Sequence, residues 1–371
     1  MIGGASDRGL GVIGGRRAGP TDGPRVVALG GGHGLSSSLQ ALRQITPHLT
    51  AVVTVADDGG SSGRLRDELG ILPPGDLRMA LAALASHDEW GQTWERALQH
   101  RFSGDGPLSG HAVGNLVLAG LTESTDDPVL ALDLTAKLVG AVGRVLPMSC
   151  AKLEIVADVV GLDPRRPTAQ TEVVGQVAVA TTAGRVVEIR LQPADPEACV
   201  EAVEAVRAAD WVVLGPGSWF TSVLPHLLVP GLRDALVETS ARILVCLNLV
   251  AQAGETAGFS PEEHLQVLAD HAPELQVDVV LADGVAVGDA RGLMAAAEAC
   301  GARLILSSVA RSDGTPRHDP DRLAAALALI VTEPGPAGPI PDDRGLDDRG
   351  PARPIPASAR PAPHPEEHAW R

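Results

Sequence analysis

The chain has 371 residues, enough for one large α/β domain or two smaller ones, and its 44% hydrophobic content is ample for a core. With 46 acids against 30 Lys and Arg the formal charge is -16, which excludes the clustered cationic surface that counterion release on nucleic acid requires. No apolar run reaches the roughly 20 residues of a bilayer span, residues 1–24 lack the apolar stretch of a signal peptide, and the cysteines at 150, 199, 246 and 300 lack metal-ligand spacing, so a cytoplasmic protein with small buried thiols is expected.

Residues 1–24, rich in Gly and Arg, and 333–371, dominated by Pro, Ala, Asp and Arg, carry no hydrophobic period and read as disordered tails around a domain at 25–332. The domain opens with an apolar strand at Arg25–Leu29, a turn of Gly30, Gly31, Gly32, His33 and Gly34, and a helix start at Leu35. Unpaired N–H groups and the positive end of a helix dipole make such a turn a phosphate seat. It is neither a dinucleotide fingerprint, since the glycines alternate at 30, 32 and 34, nor a Walker A loop, since lysine is absent.

A second strand at Ala51–Ala56 runs into Asp57, Asp58, Gly59, Gly60, Ser61, Ser62, Gly63, Arg64, Leu65 and Arg66. Glycines let backbone N–H groups approach a ligand, the serines donate or accept, and arginine forks onto phosphate oxygens. Asp57 and Asp58 suit a ribose, a base edge or a divalent metal, the one cofactor these residues suggest, and they suit turn capping as well. In Pro73-Pro74-Gly75-Asp76-Leu77-Arg78, Asp76 is placed to N-cap a helix from Leu77. Arg78 then falls in the first turn, against the dipole unless it faces an anion. His111 and Asn115 share a face if their segment is helical, with Asn115 reading a sugar or base or bonding a neighbouring loop.

Residues 150–192 alternate polar and apolar side chains over 152–160, 172–180 and 185–191 and read as an antiparallel insertion, placed to form a lip over the site or an oligomer contact. Strand candidates follow at Trp211–Leu214, Arg242–Leu247, Val277–Ala282 and Arg303–Ser308, with helical stretches between and a capping box at Ser260–Glu263. The expected fold is a doubly wound, mainly parallel α/β sheet with a small antiparallel β insertion. Gly215-Pro216-Gly217-Ser218 repeats the strand–glycine–helix logic, and Asn248 opens another polar loop running to Thr256. Four polar loops (30–38, 57–66, 215–222 and 248–256) thus follow apolar strands, where open α/β sheets bind ligands.

Taken together, the glycine turn at 30–34, Ala56–Arg66, Pro73–Arg78, Gly110–Leu116, Gly215–Ser218 and Gly254-Glu255-Thr256 resemble the YvcK branch of the CofD-like family, over about residues 25–332. The resemblance implies a Rossmann-like bacterial cytoplasmic protein, often called a gluconeogenesis factor. Such proteins are needed for cell shape and envelope growth on gluconeogenic carbon and are associated with UDP-sugars, notably UDP-N-acetylglucosamine. Envelope or peptidoglycan pathway proteins and a second copy of the chain are the implied partners. The more distant CofD branch is enzymatic, moving a phospholactyl group from a guanylyl-type donor with a divalent metal; that transferase is the alternative. Many relatives carry Thr at His33 and Leu-Tyr at Trp219-Phe220, so a hydroxyl contact is lost here, while aromatic stacking by Trp219 or Phe220 stays open. A dehydrogenase is disfavoured by the failed fingerprint, and a scaffold leaves four polar loops unexplained.

Overall fold

Continuous apolar runs such as Val26-Val27-Ala28-Leu29 suit strands covered on both faces, and the chain builds its main sheet from them. The computed structural model describes residues 23–252 and 254–333, so the expected tails lie outside the described residues except for Gly23, Pro24 and Glu333. In chain order the elements are β1 (Val26–Gly30), α1 (Gly32–Leu42), β2 (Leu49–Val53), α2 (Gly60–Leu69), α3 (Pro74–Leu84), α4 (Glu89–Gln99), α5 (Val113–Thr125), α6 (Pro128–Val139) and β3 (Arg144–Pro147). The small sheet follows with β4 (Glu154–Val160), β5 (Thr171–Val174), α7 (Gln176–Ala180) and β6 (Arg185–Gln192). The second half contains α8 (Val200–Ala208), β7 (Trp211–Leu214), α9 (Pro230–Glu238), β8 (Arg242–Cys246), α10 (Pro261–His271), β9 (Val279–Asp283), α11 (Gly284–Val287), α12 (Arg291–Ala299), β10 (Arg303–Ser307) and α13 (Pro320–Val331).

The main sheet has seven strands in the order β10-β9-β8-β7-β1-β2-β3, and every pairing is parallel. Chain direction across the sheet reverses between β1 and β7, paired Val26 to Trp211 through Leu29 to Leu214. Loops leaving the carboxyl ends of these two strands diverge there and open a crevice. Helix α1 packs on α3 and α13 over one face. The antiparallel sheet has the order β5-β4-β6.

Three expectations change. Strand β2 ends at Val53, not Ala56: Thr54 N–H still reaches Gly30 O at 3.0 Å, and Val55 and Ala56 are apolar because they are buried beyond the ladder. The strand expected over 172–180 stops at Val174, since Gly175 takes φ +101° and Val177–Ala180 coil into the short α7, whose Val177 N–H donates to Asp58 Oδ1 at 2.9 Å. Strand β3 was not expected; its four residues end in Pro147, tolerated because the strand lies at the sheet edge. The capping box forms as read, with Ser260 Oγ accepting from Glu263 N–H and Glu263 from Ser260 N–H.

Candidate functional site

The glycine turn is compact because backbone meets backbone. A Cβ on Gly34 would stand 2.1 Å from Pro216 O, so only glycine lets α1 lie against the loop after β7. Gly32 takes φ +56°, the left-handed region, and Gly31 at the N-cap supplies no capping side chain. The loop after β7 carries a cis Gly215–Pro216 bond, and Ser38 Oγ donates to Gly215 O at 3.0 Å. Asn248 reads both backbone groups of Gly217: its Oδ1 accepts from Gly217 N–H at 2.9 Å and its Nδ2 donates to Gly217 O at 2.7 Å. Gln252 Nε2 donates to Ser218 Oγ, and the buried Glu255 accepts from Phe220 N–H at 3.1 Å. Burial pushes the Glu255 carboxyl up to about 7.

Between these loops lies a cavity of about 630 Å³ at the β1/β7 reversal. His33, Gly34, Gly217, Asn248, Arg311 and Arg317 line it. Two lining side chains keep buried polar atoms without a protein partner, Gln252 Oε1 and His318 Nε2. Burial holds His33 below the usual imidazole range, and the guanidinium groups of Arg317 and Arg78 add to the effect. Burial likewise depresses His318, to about 4. Both rings are therefore neutral at pH 7, leaving the arginines as the cations of the crevice.

The remaining expected residues form a second group. Ser61 Oγ lies 2.9 Å from His111 Nδ1 and accepts from Asn115 Nδ2 at 3.0 Å, while Asn115 Oδ1 accepts from Arg78 Nε at 2.9 Å. His111 precedes the start of α5, so it joins Asn115 through Ser61, not along a helix face. Ser62 is buried against Gly75, where a Cβ would meet its Oγ at 2.2 Å. Asp57 accepts from Gly59 N–H, Asp58 from Val177 N–H, and Arg64 donates to Ser109 O at 2.8 Å. Cutting Asn115 to alanine leaves the buried Arg78 Nε–H without its acceptor and takes one of the two partners of Ser61 Oγ. We expect Asn115→Ala to cost about 1–3 kcal/mol in urea unfolding; a midpoint equal to wild type would mean that the network is slack.

Asp76 joins the two groups, and its role differs from expectation. Helix α3 begins at Pro74 with Pro73 as N-cap, so Asp76 does not cap it and Arg78 sits beyond the first turn. The Asp76 carboxyl instead accepts a hydrogen bond from Gly32 N–H beneath the glycine turn, and a Cβ on Gly31 would approach its Oδ2 to 2.5 Å. Burial, with Asp57 close by, pushes Asp76 up to about 7. Burial also brings Arg78 down to about 10. Trp219 and Phe220 offer no stacking surface, since both are fully buried, edge-on to His264 and to Phe259. Of the cysteines, Cys199 and Cys246 are buried and Cys300 partly so, but Cys150 is exposed.

The family model described as 2-phospho-L-lactate transferase CofD matches residues 26–299. The chain belongs to the CofD family. Within it the relatives are named for gluconeogenesis. The Gluconeogenesis factor of Halalkalibacterium halodurans is 41% identical over 264 residues, spanning 71% of this chain and 79% of that protein. A relative from Mycobacterium tuberculosis (strain ATCC 25618 / H37Rv), also named as a gluconeogenesis factor, is 57% identical over 310 residues, or 83% and 90%. A crystal structure of a UPF0052 family member from Bacillus halodurans matches with TM-score 0.73 at 35% identity, covering 84% of this chain and 100% of that one. This member of the CofD family thus carries the gluconeogenesis-factor branch's sequence on a seven-stranded parallel sheet. Among the described residues no helix is long and apolar enough to cross a membrane.

Proposed function

We propose that this chain is a cytoplasmic regulator that binds a UDP-sugar, UDP-N-acetylglucosamine, and acts on cell shape and envelope growth under gluconeogenic conditions. The observation that carries the reading is the crevice at the β1/β7 reversal, where the N-terminus of α1, with glycine at its N-cap, borders a cavity lined by Arg311 and Arg317. Its volume of about 630 Å³ lies within the range of small-ligand sites, and helix N–H groups with arginine forks are the usual partners of a diphosphate. Unpartnered Gln252 Oε1 and His318 Nε2 suit the hydroxyl and amide groups of a sugar or base. The relatives' names, which refer to gluconeogenesis, support the metabolic setting.

Calorimetric titration with UDP-N-acetylglucosamine tests the reading. Arg317→Ala should weaken binding roughly ten- to more than a hundredfold, the loss of one charge-assisted contact. Ligand held for hours with stoichiometric protein, with and without Mg²⁺, should return intact on chromatography. Absence of binding by the wild type removes the reading, whereas free UDP or a transferred sugar replaces it with an enzyme.

That enzyme, a CofD-like transferase, is favoured by one observation, the pairing of Asp57 with the buried Asp76 beneath the glycine turn. Two carboxylates fit Mg²⁺, which is held by one or two protein oxygens and completes its shell with water and phosphate. The described residues contain no group of three or more His, Cys, Asp or Glu around one point, so the protein's share would be those two aspartates. A metal there would neutralise charge on a transferring phosphoryl group, while His33, Arg78 and the glycine N–H groups would orient it.

A further inference from the structure

Residues 150–192 leave the main sheet after β3 and return to it before α8, and two cysteines stand where the excursion begins and ends. The two segments are bound side by side. Cys199 N–H donates to Met148 O at 3.1 Å, and Ser149 Oγ donates to Glu197 O at 2.6 Å. The bonds to Met148 and Glu197 set Cys150 beside Cys199 across this seam, where the two thiols influence each other. Cys150 is exposed and Cys199 is buried, its Sγ 3.3 Å from Glu201 Oε2. An accessible thiol backed by a sheltered one is the arrangement of an attacking and a resolving cysteine.

We propose that Cys150 and Cys199 form a redox pair that a hydroperoxide converts to an intramolecular disulfide, stapling the base of the β4-β5-β6 insertion. The Cys150 thiolate attacks the distal peroxide oxygen, breaking the O–O bond and releasing water or an alcohol, which leaves Cys150 as a sulfenic acid. Cys199 sulfur then attacks the Cys150 sulfur; its proton passes by way of Glu201 to the departing hydroxyl, which leaves as water. The two sulfurs together lose two electrons, and the peroxide gains them. Chemistry favours Cys150 as the first to react, because the neighbouring Cys199 lowers its pKa, while Cys150 and burial raise that of the Cys199 thiol.

The staple bears on the candidate site. The insertion touches the acid loop through Val177 N–H on Asp58 and through the Arg66–Glu154 ion pair at 3.2 Å, so closing its base restrains what rests on residues 57–66. Disulfides in reducing compartments are commonly transient and redox-sensing.

The test treats the full chain with hydrogen peroxide and maps peptides without reduction. We expect a Cys150–Cys199 linked peptide pair that dithiothreitol dissolves, with Cys246 and Cys300 still free, and a melting temperature about 5 °C higher in the linked form, as closure of a long loop in the unfolded chain requires. Cys150→Ser, a change at an exposed position, should abolish the link and the shift. Cys150 recovered as sulfinic or sulfonic acid beside a free Cys199, Cys150 joined to a second molecule, or a linked form with no gain in melting temperature would each overturn the proposal.

Discussion

Replacing Gly34 with alanine should destabilise the protein by about 3 kcal/mol or more and abolish the proposed UDP-sugar binding, because the new methyl has nowhere to go. Its carbon would stand 2.1 Å from Pro216 O and 2.7 Å from Pro216 C and Gly217 Cα, all backbone atoms that no rotamer change can move. Relief requires α1 to part from the loop after β7, and that loop is tied by Ser38 to Gly215 and by Asn248 to Gly217. The loss therefore falls on packing and on the cavity together. Urea unfolding and calorimetric titration of Gly34→Ala check it; an unchanged midpoint with unchanged affinity would show that the two loops do not meet in solution.

The second large effect is one of pH. An ordinary aspartate ionises near 3.8, and Asp76 is pushed up to about 7 by burial and by Asp57. Between those values the folded protein keeps a proton that the unfolded chain has released, so stability is greatest at the acid end and declines as pH rises through 7. At about 1.4 kcal/mol for each unit, a shift of roughly three units places the cost near 4 kcal/mol at pH 8. Asp76→Asn is neutral throughout, and its amide oxygen can still accept from Gly32 N–H. In urea unfolding the variant should exceed wild type by only about 1 kcal/mol near pH 4.5 and by up to about 4 kcal/mol at pH 8. Parallel curves for the two proteins across that range would mean that Asp76 is ionised at little cost.

The strands around the chain reversal were legible because burial on both faces leaves a continuous apolar run: β1, β7, β8 and β9 fall within two residues of where those runs placed them, and the partly exposed edge strand β10 does so on its apolar Leu-Ile-Leu run alone. Where apolar character comes from burial without pairing, as at Val55 and Ala56, the same signal overextends a strand. Val177 and Val179 alternate as a strand does, and only the contact with Asp58, 119 positions away, shows why the segment coils. Asp76 looked like a cap because two prolines and a glycine precede it; Pro73 takes the N-cap position and Pro74 starts the helix, leaving the carboxyl to turn inward. Arg311, Arg317 and His318 went unnoticed for a different reason. They sit on a short excursion after β10 closed by a bridge between Ala310 and His318, and no local pattern marks a loop whose importance comes from the cavity it faces.

The central position of β1 also sets an order of assembly. Its β2 neighbour is complete at Val53, whereas its β7 neighbour begins only at Trp211. At roughly 5–20 residues per second the intervening stretch takes on the order of eight to thirty seconds to synthesise. Throughout that interval a strand whose five residues are all buried in the finished protein presents an open edge of unpaired amides and carbonyls. An open edge is a template for pairing with other chains, so yield should respond to holdase chaperones and to codon choice before residue 211. The crevice between β1 and β7 cannot exist earlier, which makes its occupancy a report on whether synthesis ended in a completed sheet.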